Sequence, residues 1–196
     1  MKILLHICCA PCAIYPFRKL TSDGYQVAGF WYNPNVHPYT EYLNRLNSVK
    51  LLEQLYGWEI EYLDEYDLEK FLKAVSDNPE VGIRCRQCYR MRLEKTAEFT
   101  KSSGIDLFTT TLSVSPYQDH KLIKEQGERA AQKFGVRFLY EDFTPGYREA
   151  HQEAKEKGLH MQKYCGCIYS ERERYDKKAQ KPPQAMARTP GSAKST

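Results

Sequence analysis

The chain predicts an α/β fold: an open, mostly parallel sheet with helices on both faces and a metal site at the carboxyl ends of the strands. Three observations carry this expectation. Short apolar runs alternate with longer amphipathic stretches in the order β-α-β-α-β-α-α-β-α-β-α. Gly, Pro, Asn or Ser residues punctuate most junctions. All seven cysteines fall into three groups, and the first group sits where the first strand turns into the first helix.

In order, Lys2 to Ile7 reads as a buried strand, and Pro11 and Cys12 open a helix reaching about Thr21. Ser22-Asp23-Gly24 is a turn. Tyr25 to Tyr32 is a second strand, ended by Asn33-Pro34-Asn35. A helix from Thr40 to Tyr56 follows, with Tyr42, Leu43, Leu46, Val49 and Leu52 at helical spacing. Trp58 to Leu63 is a third strand with Asp64 at its end, and Leu68 to Val75 a short helix. A loop through Pro79 and Gly82 leads into Cys85 and Cys88, and a helix then runs from about Tyr89 to Ser102. Ile105 to Leu112 is the fourth strand. Ser113 to His120 turns into a helix ending at Gly135, and Val136 to Tyr140 is the fifth strand. Arg148 to Lys157 is helical. The Cys165–Cys167 group and a charged helix-like run to about Lys178 close the domain.

The 196 residues suffice for one domain, which we place at residues 1–178. Residues 179–196 hold no acidic residue and no periodicity, and read as a disordered basic tail. Net charge is +4, compatible with a nucleic-acid partner without demanding one. Fifteen tyrosines against eight phenylalanines supply half-buried walls and stacking surfaces. Met1-Lys2 runs straight into a strand, and no apolar stretch approaches the roughly 20 residues of a membrane span. The expectation is a cytoplasmic protein without a membrane, where seven thiols serve metal binding or redox chemistry rather than disulfides.

A four-thiolate zinc or cubane site would leave three of the seven thiols over. Grouped at a ligand rim, they favour an iron–sulfur cluster with a second metal beside it; zinc and free redox thiols remain alternatives. Cys8 and Cys9 are neighbours, so both can face one centre only where the chain leaves the strand. Among the histidines, His6 is expected as a hydrogen-bonded core residue and His37 and His151 on the surface. His120 is a candidate for acid–base work, and His160 a weaker candidate beside the Cys165 group. The sheet is similar to the Rossmann-like HUP and PP-loop domains, whose first loop holds ATP phosphate. Here that loop is Cys8-Cys9-Ala10-Pro11-Cys12 and holds no glycine, so ATP is not expected.

The motifs resemble one family closely. Leu5-His6-Ile7-Cys8-Cys9-Ala10-Pro11-Cys12, Phe30 to Tyr42, Arg84-Cys85-Arg86-Gln87-Cys88-Tyr89-Arg90-Met91-Arg92-Leu93, Ser113 to His120 and Tyr164-Cys165-Gly166-Cys167-Ile168-Tyr169-Ser170 are similar to the epoxyqueuosine reductase QueH family, over nearly all of residues 1–178. The resemblance implies the last step of queuosine synthesis: two-electron removal of the epoxide oxygen of epoxyqueuosine at the tRNA wobble position. It implies a [4Fe–4S] cofactor and no cobalamin. On this reading Cys8, Cys9, Cys85 and Cys88 ligate the cluster, while Cys12, Cys165 and Cys167 hold a second metal, an iron with an open position. Asp64, Tyr117, Asp119 and His120 are the proton-donor or substrate-binding candidates. Asn33, Tyr39, Tyr164 and the basic cluster Arg84, Arg86, Arg90 and Arg92 are the tRNA-binding candidates, with Trp31, Tyr32 and Tyr117 as further aromatic walls. An electron donor is also required. Two rivals stand beside this reading: a PP-loop-type iron–sulfur tRNA sulfurtransferase, which needs ATP, and a zinc-stabilised RNA-binding module.

Overall fold

The computed structural model describes residues 1–176, so the basic tail expected from residue 179 lies outside the described residues. Its strands are β1 (Lys2–Ile7), β2 (Gln26–Trp31), β3 (Ile60–Tyr62), β4 (Leu107–Thr110) and β5 (Arg137–Phe138). Its helices are α1 (Ala10–Ser22), α2 (Tyr39–Tyr56), α3 (Leu68–Val75), α4 (Ile83–Ser102), α5 (His120–Phe134), α6 (Tyr147–Glu156) and α7 (Ile168–Tyr175).

The sheet order is β3-β2-β1-β4-β5 and every pairing is parallel. The chain winds outward from β1 to β3, then crosses back to build β4 and β5 on the other side. The direction of winding reverses between β1 and β4, and such a point leaves a crevice at the carboxyl ends of the strands. Both faces of β1 are covered, which is why it reads as a continuous apolar run. Ile3, Leu5 and Ile7 pack into a core with α1, α2 and α6, while Leu4 packs the other way with Phe30, Phe108, Leu93 and Ile123. His6 shares that second face. Its Nδ1 lies 2.9 Å from the Thr110 hydroxyl and its Nε2 3.2 Å from the Tyr32 carbonyl, and burial lowers its pKa to about 3. It is the neutral core histidine expected.

Three local expectations are corrected. α4 begins at Ile83, so Cys85 and Cys88 lie on its first turns instead of in a preceding loop. Gly82 supplies the start, with a φ of 91° that favours glycine. His37 is fully buried rather than on the surface, packed against Tyr66 and Phe71, because the loop after β2 tucks beneath the Cys165 segment. Trp31 and Tyr32 are core residues and line neither of the cavities that hold the thiols. Among the described residues, no helix is long and apolar enough to cross a membrane.

Candidate metal and substrate site

The crevice between β1 and β4 is where the first thiols lie. The Cys8, Cys9 and Cys12 sulfurs are all within 4.8 Å of one another. The local chain explains this. Cys8 leaves β1, Cys9 has extended geometry at the N-cap of α1, and Cys12 returns one turn later. Thr111, just past β4, bridges the crevice: its hydroxyl accepts from the Cys8 N–H at 3.0 Å and donates to the Cys8 sulfur at 3.2 Å. From far along the chain, the Gln162 amide donates to the Cys9 sulfur at 2.9 Å.

The other four thiols gather elsewhere. Cys85 and Cys88 on α4 and Cys165 and Cys167 before α7 line one small cavity together with Asn35, Arg84 and Arg92. The C-terminal pair is held in place by backbone contacts. Buried Arg45 donates to the Tyr164 carbonyl at 2.9 Å and the Cys165 carbonyl at 3.1 Å, and the His37 N–H donates to the Gly166 carbonyl at 2.8 Å. Gly166 has a φ of 129° and close neighbours on three sides, so a side chain there would be both strained and crowded. The sequence expectation joined Cys8 and Cys9 to Cys85 and Cys88, and Cys12 to Cys165 and Cys167. The structure instead brings the thiols together as three and four.

Each set contains one thiol that favours the anion. Hydrogen bonds from Cys12 and Cys9 hold Cys8 well below the ordinary thiol range, and Cys12 is correspondingly raised. A hydrogen bond from Cys167 lowers Cys165 to about 5, while burial raises Cys88 to about 11.

Both donor sets fit metal. Four thiolates around one ion at about 2.3 Å lie about 3.8 Å apart, and Cys8 and Cys9 are 3.7 Å apart. The Cys8–Cys9 spacing therefore suits one ion, and three thiols would leave its fourth position to another ligand. Among the described residues it is the one set of three or more Cys, His, Asp or Glu gathered so tightly. The four-thiol set supplies four soft donors around one cavity, a donor set that suits zinc or an iron–sulfur cluster.

A cavity of about 430 Å³ opens over the first set, a volume suited to one small ligand. Cys8, Cys12, Cys165 and Arg92 form one side. Tyr117 and Tyr147 on its lining meet edge to face at 6.3 Å, and the His151 ring lies 4.0 Å from Tyr147. The His151 Nδ1–H donates to the Tyr147 carbonyl at 2.9 Å, which leaves Nε2 as the free ring nitrogen. Burial lowers the His151 pKa. Lys163 and Arg174 add positive charge to the lining.

Of the residues singled out from sequence, Tyr117, Tyr164 and Arg92 line this cavity. Arg84 lines the smaller one and is ion-paired with Glu173 at 2.6 Å. The others lie outside both linings. Asn33 is buried, its amide donating to the Ile7 carbonyl at 2.9 Å. Asp64 accepts from the Tyr42 hydroxyl at 2.7 Å, and Tyr39 is half exposed beside Tyr66. Asp119 caps α5 by accepting from the Leu122 N–H, and His120 bridges the Ser115 carbonyl and the Tyr140 hydroxyl. Arg86 pairs with Glu125, and Arg90 faces solvent. His160 pairs with Glu41 at 2.9 Å, away from the thiols' linings. Sequence reasoning missed Tyr147, His151 and Gln162 as site residues. Tyr147 and His151 sit four apart on α6, a spacing that places them on one face. Gln162 carries no local signal.

A family profile described as Epoxyqueuosine reductase QueH matches residues 3–173. A QueH from Dehalococcoides mccartyi is 39% identical over 90% of this chain and 96% of its own length. A QueH from Thermotoga maritima is 33% identical over 91% of this chain and 94% of its own. A solved structure described as a predicted subunit of tRNA methyltransferase from Methanocaldococcus jannaschii shares the fold, with a TM-score of 0.53 and 14% identity over 80% of this chain and 75% of that one.

Proposed function

The chain belongs to the epoxyqueuosine reductase QueH family, and from that premise we propose that its larger cavity receives the epoxyqueuosine nucleoside of a tRNA while its two thiol sets hold the metals that reduce it. It is an oxidoreductase: the epoxide of the substrate is converted to the alkene of queuosine. The reaction takes up two electrons and two protons and releases the oxygen as water. The observation that supports this reading is the three-thiol set beneath a cavity of nucleoside size, with Cys165 and Arg92 lining both that cavity and the smaller one of the four-thiol set.

In this reading Cys85, Cys88, Cys165 and Cys167 ligate a [4Fe–4S] cluster, and Cys8, Cys9 and Cys12 hold an iron beside it. When bound, these groups supply single electrons and a Lewis acid for an oxygen. The chain's own residues do the rest. Tyr117, Tyr147 and His151 receive the splayed wobble base on their rings. Lys163 and Arg174 meet phosphate. Gln162 fixes the Cys9 sulfur. The Tyr147 carbonyl holds the His151 proton on Nδ1, so Nε2 is an acceptor that can orient a hydroxyl or water in the cavity, and the two protons of the reaction come from solvent. The work takes place in the cytoplasm with tRNA as partner and a separate electron donor.

Anaerobically purified protein should be brown, with roughly four irons and four sulfides in the cluster and iron in excess of sulfide. With a chemical reductant and without ATP it should convert epoxyqueuosine in tRNA to queuosine, read by mass analysis of the nucleosides. A colourless zinc protein that leaves the epoxide intact would overturn the reading.

A further inference from the structure

Three arginines are buried among the described residues: Arg45, Arg84 and Arg92, each 5% exposed or less. A buried charge needs a partner. Arg45 has the Glu41 carboxylate at 2.7 Å, and Arg84 has Glu173 at 2.6 Å. Arg92 has no carboxylate among the described residues. Its Nη2 donates to the Asn33 side-chain oxygen at 2.7 Å, its Nη1 points to the Cys88 sulfur at 4.0 Å, and its Nε is buried without an acceptor. The guanidinium lines both cavities, the one over Cys8 and Cys12 and the one among Cys85, Cys88, Cys165 and Cys167.

Its surroundings offer nothing else negative. His6, beside it, is kept neutral by burial. Asn33 is uncharged, and its other amide end is committed to the Ile7 carbonyl. Among the described residues the anions that geometry leaves to Arg92 are sulfurs, and it lines the cavities of both sets of them.

We infer that Arg92 is the shared counter-charge of both thiol sets and sets the reduction potential of the cluster that Cys85, Cys88, Cys165 and Cys167 hold. This rests on the ligand assignment proposed above. Reduction adds one electron to the four-thiolate centre, and a fixed positive charge in a low-dielectric site favours the form with the extra electron. Arg92 is thus a positioning residue for charge. Its guanidinium reaches the Cys88 sulfur at 4.0 Å, and the substrate's reacting atoms are not required to touch it.

The test is the midpoint potential of the reconstituted cluster, read by redox titration with electron paramagnetic resonance, in wild type, Arg92→Gln and Arg92→Lys. Iron and sulfide are counted in each. The expected result is a more negative potential in Arg92→Gln and recovery toward wild type in Arg92→Lys. An unchanged potential in an Arg92→Gln protein with full iron would overturn the inference. If Arg92→Gln fails to hold iron, Arg92→Lys decides: restored iron and a near-native potential support the charge role. A lysine variant equally empty overturns it, because the guanidinium shape and not its charge would then be what matters. A wild-type protein with no cluster defeats the ligand assignment itself, a different outcome from an insensitive potential.

Discussion

The Gln162 amide reaches the Cys9 sulfur at 2.9 Å across 153 positions of sequence, and it lies 3.7 Å from the Cys12 sulfur. It is the hydrogen-bond donor that the C-terminal segment contributes to the first thiol set. Partners that orient ligands commonly govern metal affinity by about 10–100-fold. Gln162→Leu should weaken metal retention at Cys8, Cys9 and Cys12 by that order, measured by chelator competition. Unchanged retention would show that the amide is only a neighbour.

The grouping of thiols separates two classes of cysteine variant. Cys167→Ser or Cys88→Ser should lower iron and sulfide together and bleach the broad visible absorption. Cys12→Ser should remove iron without sulfide and leave most of that absorption. If Cys12→Ser bleached the cluster while Cys167→Ser did not, the assignment would be reversed.

Tyr117 is 83% exposed yet lies on the cavity lining. Stacking of a base on an aromatic ring contributes about 1–3 kcal/mol. Tyr117→Ala should therefore weaken epoxyqueuosine tRNA binding by roughly 5- to 150-fold, with no loss of thermal stability. Equal binding by the variant in a filter or fluorescence assay would remove Tyr117 from the substrate wall.

His37 bears on acid stability. Burial lowers its pKa from 6.5 to about 4, and neither ring nitrogen has a partner. Between those values the unfolded chain binds a proton that the folded protein does not, so stability rises with pH across this window and is lost as pH falls. His37→Phe removes that proton and keeps a ring against Tyr66 and Phe71. The variant should lose about 2 kcal/mol less than wild type between pH 6.5 and pH 4, measured by urea unfolding at a series of pH values. Parallel curves for the two proteins would contradict this.

The strands and helices were legible because both faces of the sheet are covered. β1 keeps its apolar run, and β4 its Leu107–Thr110 stretch, from one end to the other. The rim followed too, since Cys8, Asn33, Asp64 and Ser113 sit just beyond strand ends. The partition of thiols was not legible. It depends on how the segment after α6 returns to α4, and that path is set by Arg45 and His37 contacts which leave no periodic trace. The arginines of α4 were read as one basic surface. Arg84, Cys88 and Arg92 recur every four residues, which puts both guanidiniums on the face that carries a ligand. That spacing was visible in the sequence and separates these two inward residues from Arg86 and Arg90.

The pinning of the Cys165–Cys167 loop onto Arg45 and His37 also fixes an order of assembly. The four-thiol set joins residues that are 80 positions apart, and its second half follows all five strands in the sequence. The sheet needs nothing beyond Phe138 to pair all five strands. A nascent chain can thus complete its scaffold while exposing Cys85 and Cys88 as an unfinished pair, and the C-terminal loop closes over them afterwards. On the proposed ligand assignment the four-thiol centre is completed after the sheet, and a cluster delivered to it would meet a chain whose strands are already paired.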